Sequence, residues 1–278
     1  MINYTNKFFN LNIFKIKDIK LHETTETNRL RNIFDRISSS KHLMNPVIVG
    51  QYNDELILID GANRLSTLRE IGCKLIIAQL TDYKDRKIKL RNWNHLVYDI
   101  GINDVVNFCS NNNFKYKGVK YKEGKEFLKD NLNSILISDI SNGKSLLIAL
   151  PKKFNDTISR LNDFTKLYFN VHNFDRSEEE ITFSDLCKYS RRKGVLVEFH
   201  KFKKEQIVRI SRNNAKLPAG ISRHILDNRV LHVRYEISKL KDDKDIELKR
   251  EALGNYLISK IDSNKVRQYR ESVIVFDE

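Results

Sequence analysis

The sequence predicts a mixed α/β protein whose chemistry sits at a strand-to-helix junction, and three observations carry that reading. Short apolar runs alternate with stretches of helical spacing over the first eighty or so residues. The run Leu56 to Ile59 ends in Asp60-Gly61 immediately before one such helical stretch. A chain of 278 residues, 40% hydrophobic and with ten glycines and three prolines, is long and apolar enough for a compact core of one large or two ordinary domains.

The elements follow in order. Phe14, Ile16 and Ile19 lead into Leu21-His22-Glu23, and Leu30, Ile33, Phe34 and Ile37 then mark one helical face. Pro46 to Val49 predicts a strand, Asn53-Asp54 a turn and Leu56 to Ile59 a fully apolar strand. Leu65, Leu68 and Ile71 recur at helical spacing up to Gly72, a natural helix stop, and Leu75 to Leu80 supplies another strand. Residues 85 to 187 are less legible; they hold the lone Trp93, a loop signal at Asn111 to Asn113, and a strand from Ser145 to Leu150 that stops at Pro151. Further on, Leu217 to His224 reads as a polar loop, Asp227-Asn228 as a turn and Val230 to Tyr235 as a strand. A late helix carries Leu253, Tyr256, Leu257 and Ile261, and Val273 to Phe276 reads as a closing strand. The expected division is a domain at 1–85 and a second mixed α/β domain at 86–278.

Fifty Lys and Arg against 36 Asp and Glu give a formal charge of +14, which implies anionic partners without choosing among nucleic acid, membrane surfaces and phosphorylated small molecules. The excess is concentrated, with thirteen basic and three acidic residues between 188 and 234. Cys73, Cys109 and Cys187 are isolated and odd in number, so they are expected to be reduced and structural. Apolar runs such as Leu146 to Leu150 are far too short to span a bilayer, and the expectation is a cytoplasmic protein with no membrane partner.

Gly61 permits a sharp turn and close approach of a ligand to the backbone. The N–H groups of Ala62, Asn63 and Arg64 then open a helix, and with its dipole and the Arg64 guanidinium they favour an anion. An ordinary strand-turn-helix with a surface arginine has the same local sequence. Ser222-Arg223-His224 is similarly double: a solvated turn, or a hydroxyl, guanidinium and imidazole set side by side to clamp phosphate. Trp93, His95 and His224 are plausible pocket walls or donors, and equally plausible packing residues.

Taken in order, Leu21-His22-Glu23, Asn45-Pro46-Val47-Ile48-Val49, Ile59-Asp60-Gly61-Ala62-Asn63-Arg64 and Gly72-Cys73 resemble the ParB/sulfiredoxin-like superfamily, and within it the free L-serine kinases. Trp93-Asn94-His95 and Leu217 to His224 look like matching parts of the same kinases. The likeness runs from about residue 10 onward, scattered through the middle hundred residues.

That resemblance implies a ParB/sulfiredoxin-like N-terminal domain and a kinase converting free L-serine to O-phospho-L-serine, a precursor for 2,3-diaminopropionate or siderophore synthesis. Glu23 would lie beside the substrate hydroxyl as base, and Asp60 at the reacting phosphate and Mg2+. Gly61, Ala62, Asn63 and Arg64 would bind phosphate, and Pro218, Ser222, Arg223 and His224 would close the other side of the cleft. Trp93 and His224 would contact substrate. ATP is the expected donor, with ADP an alternative, and a homodimer is allowed. Asn63 stands where many relatives carry histidine, so a titrating role there is in doubt. Ala62 stands where a sulfiredoxin needs its cysteine, which argues against peroxiredoxin repair. Neither a GxxxxGK[ST] loop nor the H-R-D and D-F-G sets of other kinases is present. The competing expectation is a ParB-like DNA-binding regulator, holding duplex phosphates through the basic stretch.

Overall fold

A computed structural model describes residues 9–25, 27–178, 193–213 and 215–269. Cys187 and the strand expected at 273–276 lie outside the described residues.

The first part of the chain runs β1 (Leu11–Lys15), β2 (Ile19–Lys20), α1 (Thr27–Ser40), β3 (His42–Leu43), β4 (Val47–Tyr52), β5 (Glu55–Asp60), α2 (Ala62–Glu70) and β6 (Leu75–Asp82). Five of these strands form a mixed sheet in the order β1-β6-β4-β5-β2, in which β4 and β6 are parallel and β4 and β5 are a hairpin. The hairpin turns at Asn53, which takes the left-handed conformation tolerated by asparagine (φ 54°).

The uninterrupted apolar run of β5 has a simple cause. Side chains alternate across a strand, and β5 lies between two cores: Leu58 packs into one, Ile57 and Ile59 into the other. Neither face meets water, so neither face is polar. Helix α1 contributes Ile33 and Ile37 to the first core, while Leu65 and Leu68 of α2 are buried there completely.

The second part runs β7 (Lys89–Tyr98), α3 (Ile102–Asn111), β8 (Lys115–Val119), α4 (Tyr121–Asp130), β9 (Ser134–Asp139), β10 (Ser145–Ala149), α5 (Phe154–Thr165), β11 (Phe174–Glu178), β12 (Gly194–Phe199), α6 (Lys204–Arg212) and β13 (Ser222–Ile225). Its strands form a seven-stranded antiparallel sheet in the order β11-β7-β12-β9-β10-β8, with β13 paired to the first half of β7. Strands β9 and β12 are buried along their whole length. Their polar side chains are matched: Ser138 Oγ meets Ser145 Oγ at 2.8 Å, and Glu198 accepts from Lys125 Nζ at 2.6 Å.

Three sequence expectations need correction. Leu217 to His224 is not a loop throughout: Leu217 is fully buried and bridges Glu23, and Ser222 to His224 belong to β13, where pairing with β7 satisfies their backbone. Val230 to Tyr235 is not a strand, because His232 and Arg234 take positive φ (56° and 54°), which breaks an extended run; only β14 (Tyr235–Glu236) pairs, with β3. Finally, the chain beyond residue 230 does not stay with the second part. Tyr235, Ile237, Leu240, Leu253 and Leu257 pack into the first core, the last two from α7 (Ile246–Asp262).

Cys73 and Cys109 are buried free thiols; burial raises both, Cys109 to about 11, which makes them poor nucleophiles. Among the described residues no helix is long and apolar enough to cross a membrane.

Candidate active site

The two parts meet along a cleft of about 800 Å³, a size suited to a cofactor-sized ligand. Glu23, Asp60, Gly61, Ala62, Asn63, Arg64, Trp93, Ser222, Arg223 and His224 all line it. These residues border one cavity although they come from segments up to two hundred residues apart, whereas Pro218 and His95 do not line it.

Main-chain bonds assemble it. Leu217 N donates to His22 O, and Thr24 N to Leu217 O, both at 2.8 Å, so the exit of β2 and the approach to β13 run as a short parallel ladder. Trp93 N donates to Ile221 O at 2.9 Å and fixes β7 to the same segment.

Glu23 locks this junction with its side chain. Oε1 accepts from Ser222 N at 2.7 Å and Ser222 Oγ at 2.6 Å, and Oε2 accepts from Gly220 N at 3.1 Å. Gly220 has φ +71°, and a Cβ there would run into the Arg176 guanidinium, so only glycine permits the arginine to lie against this turn. Arg176 is drawn into partial burial beside Glu23; desolvation lowers its pKa and the Glu23 charge opposes that.

Opposite stands the β5–α2 junction. Gly61 takes φ +99°, and the first turn of α2, whose N–H groups have no partner within the helix, lines the cleft. Arg64 Nη2 donates to Asp60 Oδ2 at 2.7 Å, and its Nη1 donates to Pro46 O at 2.6 Å, which pins the pair into the wall. Arg229 Nη1 also reaches Asp60 Oδ2, at 3.2 Å. Alanine at 61 would place its Cβ 2.7 Å from Val47 Cγ1 and 3.0 Å from Arg64 Nη2, in a backbone region that L residues avoid. Gly61→Ala should therefore cost about 1–3 kcal/mol of stability, read as a lower denaturation midpoint, and should disturb Arg64 as well.

Arg223 lies over the Trp93 ring, 4.2 Å from its centroid, so the two form a single wall rather than separate features. His224 is buried; its Nε2 meets Tyr83 Oη at 2.9 Å, and burial pushes its pKa well below the ordinary value, reinforced by the neighbouring His22. It is a neutral member of the wall. His95 is a support for the loop: Nε2 donates to Gly220 O at 3.0 Å, Nδ1 accepts from Tyr168 Oη at 2.7 Å, and burial lowers its pKa to about 4.

Sequence reasoning missed His22, Arg176 and Arg229. His22 stands beside the more conspicuous Glu23, and the two arginines lie in short irregular or charged segments with no pattern around them. The cleft-lining charges are then Arg64, Arg176, Arg223 and Arg229 against Glu23 and Asp60, a balance that favours a polyanion.

Among the described residues, several cations of the basic stretch are engaged within the protein. Arg212 pairs with Glu55 at 2.6 Å, Lys204 Nζ donates to the Tyr83 and Asp85 carbonyls, and Lys216 Nζ donates to the Asn213 carbonyl at 2.7 Å. Arg212 thus ties the second part to β5, and Arg223 and Arg229 line the cleft.

No family model matches the chain. An ATP-dependent L-serine kinase of Staphylothermus marinus is 28% identical over 114 residues, 39% of this chain. That match spans 43% of the relative, less than half its length. The ATP-dependent L-serine kinase SbnI of Staphylococcus aureus is 20% identical over 249 residues, covering 85% of this chain and 86% of the relative. A solved structure of SbnI with a C-terminal truncation superposes with a TM-score of 0.71 at 18% identity, covering 94% of this chain and all of that one. The chain resembles the free serine kinases in sequence and shares their fold. A free serine kinase in complex with AMP gives a TM-score of 0.68 at 14% identity, covering 83% of this chain and 93% of that one. None of these relatives is described as a DNA-binding regulator, and the comparisons lend that expectation no support.

Proposed function

We propose that the protein is an ATP-dependent kinase acting on the hydroxyl of free L-serine to give O-phospho-L-serine. The observation that carries this reading is the single cleft in which a carboxylate, Glu23, faces an anion-binding helix start flanked by Asp60 and Arg64, with four guanidinium groups around it. The likeness to curated L-serine kinases over most of the chain supports it. In this reading the first sheet with its β5–Gly61–α2 turn is a ParB/sulfiredoxin-like unit, roughly residues 1–85, covered on its outer side by α7.

Phosphoryl transfer asks mainly for positioning and charge neutralisation. The start of α2, Arg64 and Arg223 would share the negative charge of the transferring phosphate. Glu23 Oε2 accepts one hydrogen bond in the structure, leaving acceptor capacity for a substrate hydroxyl. Arg176, lying against Gly220 beside that carboxylate, is the cation suited to the amino acid's own carboxylate.

Among the described residues no group of three His, Cys, Asp or Glu side chains could cage a metal, and Asp60 Oδ2 is already shared by two arginines. This donor set fits Mg2+ brought in on nucleotide phosphates, with Asp60 as its one protein carboxylate, and does not fit a protein-built cage. Such an ion would neutralise phosphate charge.

The direct test mixes purified protein with ATP, Mg2+ and L-serine, and separately with ADP, and looks for phosphoserine by mass spectrometry. Product above a Glu23→Ala control is expected; its absence with either donor overturns the reading. Arg176→Ala should raise the KM for serine by about tenfold or more, the scale of losing one charge-assisted contact, while the KM for nucleotide changes little. Equal rises in both would remove Arg176 from the serine subsite.

A further inference from the structure

His22 is buried, lies at no expected site, and is bonded at both nitrogens: Nδ1 to Leu58 O at 2.9 Å and Nε2 to Ser222 Oγ at 2.8 Å. The carbonyl can only accept, so Nδ1 carries a hydrogen. Ser222 Oγ has one hydrogen but touches two acceptors, His22 Nε2 and Glu23 Oε1. With a neutral imidazole and an ionised carboxylate, the line Glu23–Ser222–His22 is therefore one proton short. Adding one proton satisfies both contacts in either of two ways: imidazolium with carboxylate, or imidazole with carboxylic acid. The two forms differ only by the shift of two hydrogens through Ser222.

A phosphorylated hydroxyl releases one proton, and this line lacks one. We propose that His22 is the terminal acceptor of the proton leaving the substrate hydroxyl, reached from Glu23 through the Ser222 hydroxyl. This rests on the kinase reading above. As the serine oxygen bonds to the γ-phosphorus and the bridging P–O bond to the nucleoside diphosphate breaks, the hydroxyl proton passes to Glu23. A half-turn of the carboxyl presents that proton to Ser222 Oγ, whose own hydrogen passes to His22 Nε2. Glu23 is then a carboxylate again, and the proton returns to water after product leaves.

The surroundings bear on both ends. Burial lowers the proton affinity of His22 while the Glu23 charge and the Leu58 carbonyl raise it, and Lys216 lowers it. The His224 ring stands edge-on at 5.5 Å, and Arg176 lies against Glu23. Burial prevails, so the His22 imidazole binds a proton less readily than an ordinary one.

The sign of the effect follows. A line already carrying its proton cannot take another, so activity is lost once the pH is low enough for the line to hold that proton before the substrate reacts. Removing His22 Nε2 leaves the carboxyl alone, lowers the total proton affinity, and moves the acid limb to lower pH. The variant for the purpose is His22→Asn, whose amide can keep the bond to Leu58 O; Ser222→Ala cuts the path while leaving both ends. In each, the acid limb of kcat/KM should shift down by about one unit or more with kcat lowered about tenfold. A lowered kcat with the limb unmoved in both variants overturns the proposal and makes His22 a structural support. Should the His22→Asn protein fail to fold, Ser222→Ala decides alone. A wild-type protein that makes no phosphoserine refutes the kinase reading instead, and the relay is then judged by nitrogen NMR of His22. Its titration should differ between wild type and Ser222→Ala, and identical curves sink the relay.

Discussion

Glu23→Gln is expected to lower turnover with ATP and L-serine by at least about a hundredfold, the scale for losing a catalytic base, while the protein stays folded. Glutamine keeps the length of the side chain and one acceptor oxygen, so it can still receive the bonds from Ser222 N and Oγ. Its amide would turn N–H toward Gly220 N, exchanging a 3.1 Å hydrogen bond for a donor–donor contact. The structural loss is confined to that contact, because the backbone ladder between residues 22–24 and Leu217 does not depend on the side chain. A melting temperature within a few degrees of wild type together with collapsed kcat would assign the carboxylate to chemistry. Retained turnover would remove it from that role.

The second large effect is expected at Asp60. Asp60→Asn keeps the shape and removes the charge that sits between Arg64 and Arg229. Both pairs are partly exposed, with the Asp60 side chain at 35% exposure, and such pairs are worth about 0–1 kcal/mol each. Stability should therefore barely move. The proposed anion site should suffer far more, since both guanidiniums lose the carboxylate they share. Turnover about a hundredfold lower, with an unchanged denaturation midpoint, is the expected outcome. A large drop in midpoint with little change in turnover would make Asp60 a structural residue.

The sequence exposed the parts of this architecture that local physics writes into consecutive residues. Leu56 to Ile59 had to be buried on both faces because nothing polar interrupts it, and Gly61 announced a turn that only a left-handed residue makes. The second sheet was harder to read, because its strands pair across helices and its two central members are apolar throughout, with no alternation to mark their faces. Leu217 to His224 misled for a related reason: its polar side chains suggested water, while their partners, His22, Glu23 and Tyr83, lie far away in the chain. Val230 to Tyr235 alternated like a strand, yet left-handed residues at 232 and 234 cannot be foreseen from that alternation. Arg176 enters the cleft only because Gly220 leaves room for it, a dependence across 44 positions that no window reveals.

The parallel ladder between residues 22–24 and Leu217 has a consequence for biosynthesis. Residues 24 to 217 must all leave the ribosome before the two lips of the cleft can join, so a nascent chain has its helix start long before it has a pocket. Such distant pairing is slow, because the entropy of closing a very long loop is lost before any contact rewards it. The first sheet is left waiting as well, since α7, which packs into its core, follows β13 in the chain. Formation of the cleft thus becomes a late event in maturation, and a ligand able to bridge both lips would draw the final folding step forward.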